Sequence, residues 1–286
     1  MLLAIDIGNS SVSCGVFDLD ECSGGYSSPI LDFKITTKSI SSDEYALLIS
    51  NFLALKNIYP APSSVYSRNT SDVGPNVSFV DRAAIASVVP ALTDTLARAA
   101  ELLSGQPPFI VGTGIKTEMG IHIKNPQQLG ADIVANAAAA AEIASTPLVI
   151  LDVGTATTLT VVDKNKDILG TIIMPGLRVS LSALSGSAAQ LNDVALRVPP
   201  ALIGRDSVES IQSGVLYGHI LMIDGFIRNI REQYPDLTAS DKLSLVSTGG
   251  LSDRITPYLR NKFTDYPTLT LLGIAKLYAL NRNRIH

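Results

Sequence analysis

Apolar positions in the chain follow two periods, one of about two residues and one of about three to four. Residues 2–6 form an apolar run that ends in Asp6, and residues 12–18 resume the run after Ile7-Gly8-Asn9-Ser10-Ser11. Strand, Gly/Asn/Ser turn, strand is a hairpin signal. Lys34–Thr37 reads as another strand. Ser41 and Glu44 stand at capping-box spacing, which predicts a helix through about Leu53. Pro, Ser, Asn and Gly crowd residues 60–78, which reads as a surface excursion. Ala83–Val89 and Phe109–Val111 read as strands, with a helix over Thr93–Leu103 between them. Gly112–Pro126 is loop-like, with a short strand near Ile121–Ile123. A helix is expected from about Gln128 to Ala144, since its alanine run at 137–141 is among the best helix formers.

The second half repeats the mixture. Strands are expected at 148–152, 159–163, 168–173 and 243–246. A helix begins at Gly176-Leu177, a long one covers Ser207–Gln233, Thr248-Gly249-Gly250 forms a tight turn, and helices follow over Leu251–Arg260 and Thr268–Asn281. Alternating strands and helices with local antiparallel runs predict a mixed α/β fold.

An internal repeat organises these elements. LLAIDIGNSS at 2–11 matches VILDVGTATT at 149–158, so that Asp152 repeats Asp6 after 146 residues. Two copies at a domain-sized period imply two similar domains, 1–118 and 119–286, each offering the same turn to a shared cleft. Glycine lets backbone approach a ligand, and successive N–H groups with Ser and Thr hydroxyls suit an anion. A bare carboxylate would repel a phosphate, so each Asp implies a cation between them, or a role in orienting water and backbone. The plainer alternative is a pair of ordinary turns with Asx-type hydrogen bonds.

Composition narrows the field. Of 286 residues, 46% are hydrophobic and 17% charged, which excludes disorder as a description of the whole chain. The formal charge of −4 argues against nucleic acid as a partner. No apolar stretch is long enough for a membrane span, and MLLAID lacks the basic flank of a signal peptide. Cys14 and Cys22 fit neither a disulfide framework nor a zinc spacing, and read as reduced thiols of a cytoplasmic protein. His122, His219 and His286 have no partner at metal-ligand spacing and read as structural or surface residues. No P-loop, dinucleotide-binding glycine pattern or protein-kinase motif set is present.

The doubled Asp-Gly hairpin resembles the acetate and sugar kinase, Hsp70 and actin superfamily. The ordered set Asp6-Ile7-Gly8-Asn9-Ser10, Ser87-Val88-Val89-Pro90, Gly114-Ile115-Lys116-Thr117, Asn125-Pro126, Gly130-Ala131-Asp132, Asp152-Val153-Gly154-Thr155, Pro175-Gly176, Ser213-Gly214-x-x-Tyr217-Gly218 and Thr248-Gly249-Gly250-Leu251 is similar to type III pantothenate kinases. That resemblance implies two actin-like (ribonuclease H-like) domains with the ligand cleft between them. It implies a homodimer that phosphorylates pantothenate with ATP, using Mg²⁺ and a monovalent cation, K⁺ or ammonium, at the first step of coenzyme A synthesis. By position it makes Asp6, Ile7, Gly8, Asn9, Ser10, Ser11, Val12 and Ser13 the first phosphate loop. Thr155, Gly249 and Gly250 become ATP contacts, Asp152 the cation ligand and Asp132 the proton acceptor. Gly130, Ala131, Asp132, Ile133 and Ser207 become the substrate site. Asp132 near a helix start is expected to be held ionised by the helix dipole. Ser207 equally suits a helix cap.

Three positions depart from the family pattern. Ile133 stands where an arginine is usual, Ile123 where a tyrosine is usual, and Thr160 where an acid is usual. Isoleucine offers no donor or charge to an anionic substrate, and Arg178, Lys116 and Lys124 are candidates to replace it. Two alternatives therefore stand beside pantothenate kinase. One is a same-fold kinase with another acceptor alcohol; the other is a nucleotide-binding regulatory protein without turnover.

Overall fold

A computed structural model describes residues 1–18, 28–64, 78–186, 194–238 and 243–284. Cys22, His286 and most of the expected excursion at 60–78 lie outside them. The chain divides into two compact units: Met1–Glu118, Asn125–Ala139 and Thr268–His286 form unit 1, and Met119–Lys124 with Ala140–Pro267 form unit 2. The expected division at 118/119 assigns 125–139 and 268–286 differently.

The first part of the chain forms β1 (Leu2–Ile7), β2 (Ser11–Phe17), β3 (Leu31–Thr36), α1 (Ser42–Ala54), β4 (Ile58–Pro60), β5 (Ser78–Val80), β6 (Arg82–Ser87), α2 (Pro90–Ser104), β7 (Phe109–Ile110) and α3 (Ala131–Ile143). The rest forms β8 (Leu148–Val153), β9 (Ala156–Val162), β10 (Ile168–Pro175), α4 (Leu177–Gly186), α5 (Ser207–Gln212), α6 (Gly218–Gln233), α7 (Pro235–Thr238), β11 (Ser244–Thr248), α8 (Ser252–Ile255), β12 (Thr264–Asp265) and α9 (Leu269–Asn281). The expected long helix over 207–233 is α5 and α6 joined by a π turn at Ser213–Tyr217. The capping box forms as expected: Ser41 Oγ accepts from the Glu44 N–H at 3.2 Å, and the Glu44 carboxylate accepts from the Ser41 N–H at 2.9 Å.

Each unit carries one five-stranded sheet, and the two sheets have the same strand order, β3-β2-β1-β6-β7 and β10-β9-β8-β11-β12. The first three strands of each form an antiparallel meander, and the last two pair parallel. The repeat read from the sequence is thus a repeat of architecture. The two hairpin turns are not the same length, however. Four residues, 8–11, separate the pair Ile7↔Val12, whereas three, 154–156, separate Val153↔Thr157.

Strand alternation sorts the side chains of each sheet. In unit 1, Leu3, Ile5 and Ile7 pack with Val12, Cys14 and Val16 into one core with Tyr45 and Ile49 of α1 and Leu96 and Leu103 of α2. Leu2, Ala4 and Asp6 point to the opposite face. There α9 packs, with Leu271 seated against Gly15. In unit 2, Val149, Leu151 and Val153 meet Ile220, Ile223, Ile227 and Ile230, one stripe of α6 at helical spacing.

The alanine run of α3 has a second use besides helix propensity. Ala135 and Ala137 to Ala140 are fully buried, and their small size lets backbones approach. Nearest is the crossing with α9, where a Cβ on Gly273 would overlap the Ala135 carbonyl and lie 2.8 Å from its Cα. Thr270 Oγ1 donates to Asn136 Oδ1 at 2.8 Å and pins the same crossing. Helix propensity alone makes Gly→Ala favourable by about 1 kcal/mol. We therefore expect Gly273→Ala to destabilise by about 1–3 kcal/mol through overpacking. Gly225→Ala in α6, where a Cβ meets nothing within 4 Å, should stabilise instead. Urea midpoints of the two variants moving in the same direction would refute the crossing.

Candidate active site

In unit 1 the β1–β2 turn is fastened from below. The Gly8 N–H donates to the Ser11 carbonyl at 3.0 Å, Thr37 Oγ1 donates to the Gly8 carbonyl at 2.7 Å, and the Thr37 N–H to the Ser10 carbonyl at 3.2 Å. Asn9 and Ser10 are exposed at the tip, and Asp6, Gly8, Ser11 and Ser13 are half-buried. Ile7 and Val12 are fully buried in the core, so only their backbone can serve a ligand.

The neighbouring parallel strand ends beside this turn. Asp6 pairs with Ala86, and the Val88 N–H donates to the Ile7 carbonyl at 3.1 Å. The chain entering α3 reaches the same edge, since a Cβ on Gly130 would lie 3.6 Å from Val88 Cγ1. Asp6, the end of β6 and the start of α3 therefore gather at the carboxyl edge of the unit 1 sheet, where open α/β sheets bind ligands.

Asp132 lies in the first turn of α3. Its Oδ1 accepts from the Ile133 N–H at 2.8 Å, and a side chain at Gly130 would collide with that oxygen. The helix end and these N–H groups favour the carboxylate, as expected. Burial opposes them and wins, so the Asp132 pKa is raised above its ordinary 3.8. A carboxylate of raised pKa is a stronger base. The Ile133 side chain is buried at 8% exposure.

The raised pKa fixes a sign. The folded state holds the Asp132 proton more tightly than the unfolded state, so stability falls as pH rises from 3.8 through the raised value. Above that window the ionised group is a standing cost to the fold. Asp132→Asn removes the cost and should melt at the same temperature as the parent or higher at neutral pH. It should show no advantage below pH 3.8. A variant less stable at neutral pH would show that the carboxylate supports the fold.

The matching edge of unit 2 is built differently in detail. The Gly154 N–H donates to the Ala156 carbonyl at 3.0 Å, and the Leu251 N–H to the Val153 carbonyl at 3.1 Å. Asp152 pairs with Thr248, three residues before Leu251, whereas in unit 1 Ala86 precedes Val88 by two. The extra residue is Gly249, at φ +97°, a conformation that side-chain-bearing residues rarely adopt. A Cβ there would lie 2.5 Å from both Asp152 Oδ1 and the Val153 nitrogen. The Asp152 carboxylate thus rests over a glycine, against backbone. Thr155 and Gly250 are exposed beside it, and the Gly176 N–H donates to the Thr155 carbonyl at 3.2 Å.

His219, read from the sequence as structural, joins the pieces of this edge. Its Nε2 lies 3.4 Å from Thr157 Oγ1 in β9, and its ring also meets the carbonyls of Pro175 and Val215. Burial lowers its pKa, which keeps the ring neutral. The sequence offered one hint, its place just after the Ser213–Gly218 motif.

The remaining candidates are placed as follows. Ser207 is the first residue of α5, but Asp206 caps the helix by accepting from the Glu209 N–H at 2.8 Å, so the Ser207 hydroxyl is exposed and not the cap. Thr160 is 2% exposed in β9, where an acid would be a buried charge. Lys116 pairs with Glu118 at 2.9 Å, and His122 with Asp167 at 3.0 Å. Cys14 is buried, and burial and Asp6 keep its thiol protonated. No three acidic, His or Cys groups among the described residues converge as a metal site. No helix among them is long and apolar enough to cross a membrane.

The chain is similar along its length to known proteins. A profile described as type III pantothenate kinase matches residues 2–229. The type III pantothenate kinase of Geotalea daltonii is 35% identical over 283 residues, 99% of each chain. That of Shouchella clausii is also 35% identical, over 99% of this chain and all of its own. Among solved structures, a Campylobacter jejuni protein described as a Baf family transcriptional activator shares the fold at TM-score 0.56 and 18% identity, over 98% of this chain and 99% of that one. These relatives make the chain a kinase, built on two mixed sheets of the same strand order, each with an Asp-x-Gly hairpin closing its first strand. Within that class, the chain belongs to the type III pantothenate kinase family. The two pantothenate kinase relatives do not favour the regulatory or shifted-acceptor reading.

Proposed function

We propose that the chain transfers the γ-phosphoryl group of ATP to the primary alcohol of pantothenate, giving 4'-phosphopantothenate, the first step of coenzyme A synthesis. The observation that carries this reading is Asp132, a half-buried carboxylate of raised pKa in the first turn of α3, at the carboxyl edge of the unit 1 sheet. In the reaction it takes the hydroxyl proton as the substrate oxygen bonds to the γ-phosphorus and the bond to ADP breaks. Phosphoryl transfer otherwise rests on positioning and charge.

The first phosphate loop is Asp6 to Ser13, acting through backbone N–H groups and the Ser hydroxyls. Thr155, Gly249 and Gly250 hold the nucleotide in unit 2, and Gly130, Ala131, Ile133 and Ser207 border the substrate. The donor set suits Mg²⁺ only in company with ATP: hard carboxylate oxygens are present, but no three-ligand cage is found among the described residues. Bound Mg²⁺ supplies neutralisation of the transferring phosphates. The monovalent cation, K⁺ or ammonium, is assigned to Asp152, whose Oδ1 occupies space that any side chain at 249 would fill. His219 steadies the Thr155 turn from beneath.

A coupled ADP-release assay with pantothenate, Mg²⁺ and K⁺ tests the reading. Turnover should fall about 10²–10⁴-fold in Asp132→Asn, and the parent rate should decline as acid protonates Asp132. Equal rates in parent and variant would end the proposal. A parent that consumes ATP only with another alcohol would restore the shifted-acceptor reading.

A homodimer in the cytoplasm completes the proposal. Large apolar side chains are exposed along one stretch of unit 2: Ile173 at 66%, Leu202 at 58% and Ile203 at 81%, with Val179, Leu184 and Val208. We assign the dimer face to this stretch. Ile203→Asp should halve the mass seen by sedimentation equilibrium, and a parent that already sediments as one copy would refute the dimer.

A further inference from the structure

We propose that unit 2 carries an accessory site for a phosphate-bearing small molecule on α6, built from residues with no part in phosphoryl transfer. A cavity of about 530 Å³ opens between α6 and the segment at Arg260-Asn261. That volume suits a small organic ligand. Three arginines line it, Arg228, Arg231 and Arg260, against one acid, Asp224. The chain as a whole is acidic, with a charge of −4, so this is a local reversal of sign.

The single acid is already engaged. Asp224 accepts from the Arg260 N–H at 3.1 Å and from Asn261 Nδ2 at 2.9 Å. Asn261 Oδ1 in turn accepts from Arg231 at 2.7 Å. This chain of bonds fixes the wall and leaves the other two guanidinium groups for a ligand. Arg228 has only a long contact of 4.0 Å to Glu232, with both side chains mostly exposed. The Arg260 guanidinium has no partner among the described residues. Two forked cations beside a fixed wall have the chemistry to hold phosphate oxygens.

A second, independent feature is Gly225, which lines the cavity in mid-helix. A Cβ there would meet nothing within 4 Å, so packing does not require glycine. Glycine in a helix interior costs about 1 kcal/mol, and here it leaves the cavity floor open to close approach. Leu221, 57% exposed, supplies an apolar wall for the organic part of such a ligand.

Calorimetry with inorganic pyrophosphate tests the site, using the full chain with its nucleotide site filled by a non-hydrolysable ATP analogue. One equivalent should bind, and the affinity should fall by about tenfold or more in Arg228→Gln/Arg260→Gln. Gly225→Leu should weaken it through the cavity floor with all charges kept. Neither variant should alter turnover measured without pyrophosphate. Since binding is read without turnover, the result does not depend on the kinase reading. Equal affinity in the parent and both variants, or no binding to the parent, would overturn the proposal. Citrate binding as tightly as pyrophosphate would overturn its assignment to phosphate.

Discussion

One backbone hydrogen bond, made once in each unit, sets the rest of the structure. Where the first strand ends, its last carbonyl accepts from the chain leaving the parallel neighbour: Ile7 from Val88, and Val153 from Leu251. That bond holds two strand ends in line and fixes where Asp6 and Asp152 stand. The hairpin turn, the exit loop of the neighbouring strand and the aspartate then meet at one carboxyl edge. With N–H groups presented by the turn and a carboxylate beside them, the edge suits an anion that brings its own cation.

The two copies have diverged at this edge by single residues. Unit 1 has the longer hairpin turn, with four residues against three, and unit 2 the longer exit loop, through Gly249. Each insertion changes the loop that presents backbone donors and leaves the strand order the same. One edge can therefore become specialised for one part of a ligand while the hydrophobic core of each unit stays regular. Asp132 shows a related compromise. The burial that raises its proton affinity also makes it a burden on the fold, and the N–H of Ile133 offsets only part of that.

Local features were legible in the sequence because their causes are local. The hairpins, the capping box at Ser41 and the alanine-rich α3 all depend on residues within a few positions of one another. The repeat was legible because the same turn chemistry occurs twice. What escaped depends on partners far along the chain. The burial of Asp132 comes from packing, which spacing does not report; the helix start does favour the carboxylate, and desolvation outweighs it. Ser207 and Asp206 are both good caps, and only backbone geometry chooses between them. His219 follows the Ser213–Gly218 motif in sequence, but only the fold brings it to Thr157 across 62 residues. Thr160 reads as a lost acid until its near-complete burial gives a reason for a neutral residue there.

The place of α9 has a consequence for how the protein is made. Unit 1 holds both Met1–Glu118 and Thr268–His286, so its sheet waits for residues 268–286 to be synthesised. Until then Leu2 and Ala4 lack the helix that covers their face, and α3 lacks the partner that it meets at Gly273. Unit 2, continuous from Ala140 to Pro267, can close while the chain is still growing. The half translated first is thus the half completed last. Until residues 268–286 emerge, a nascent chain carries Asp6 and Asp132 on a surface still open to chaperones and proteases.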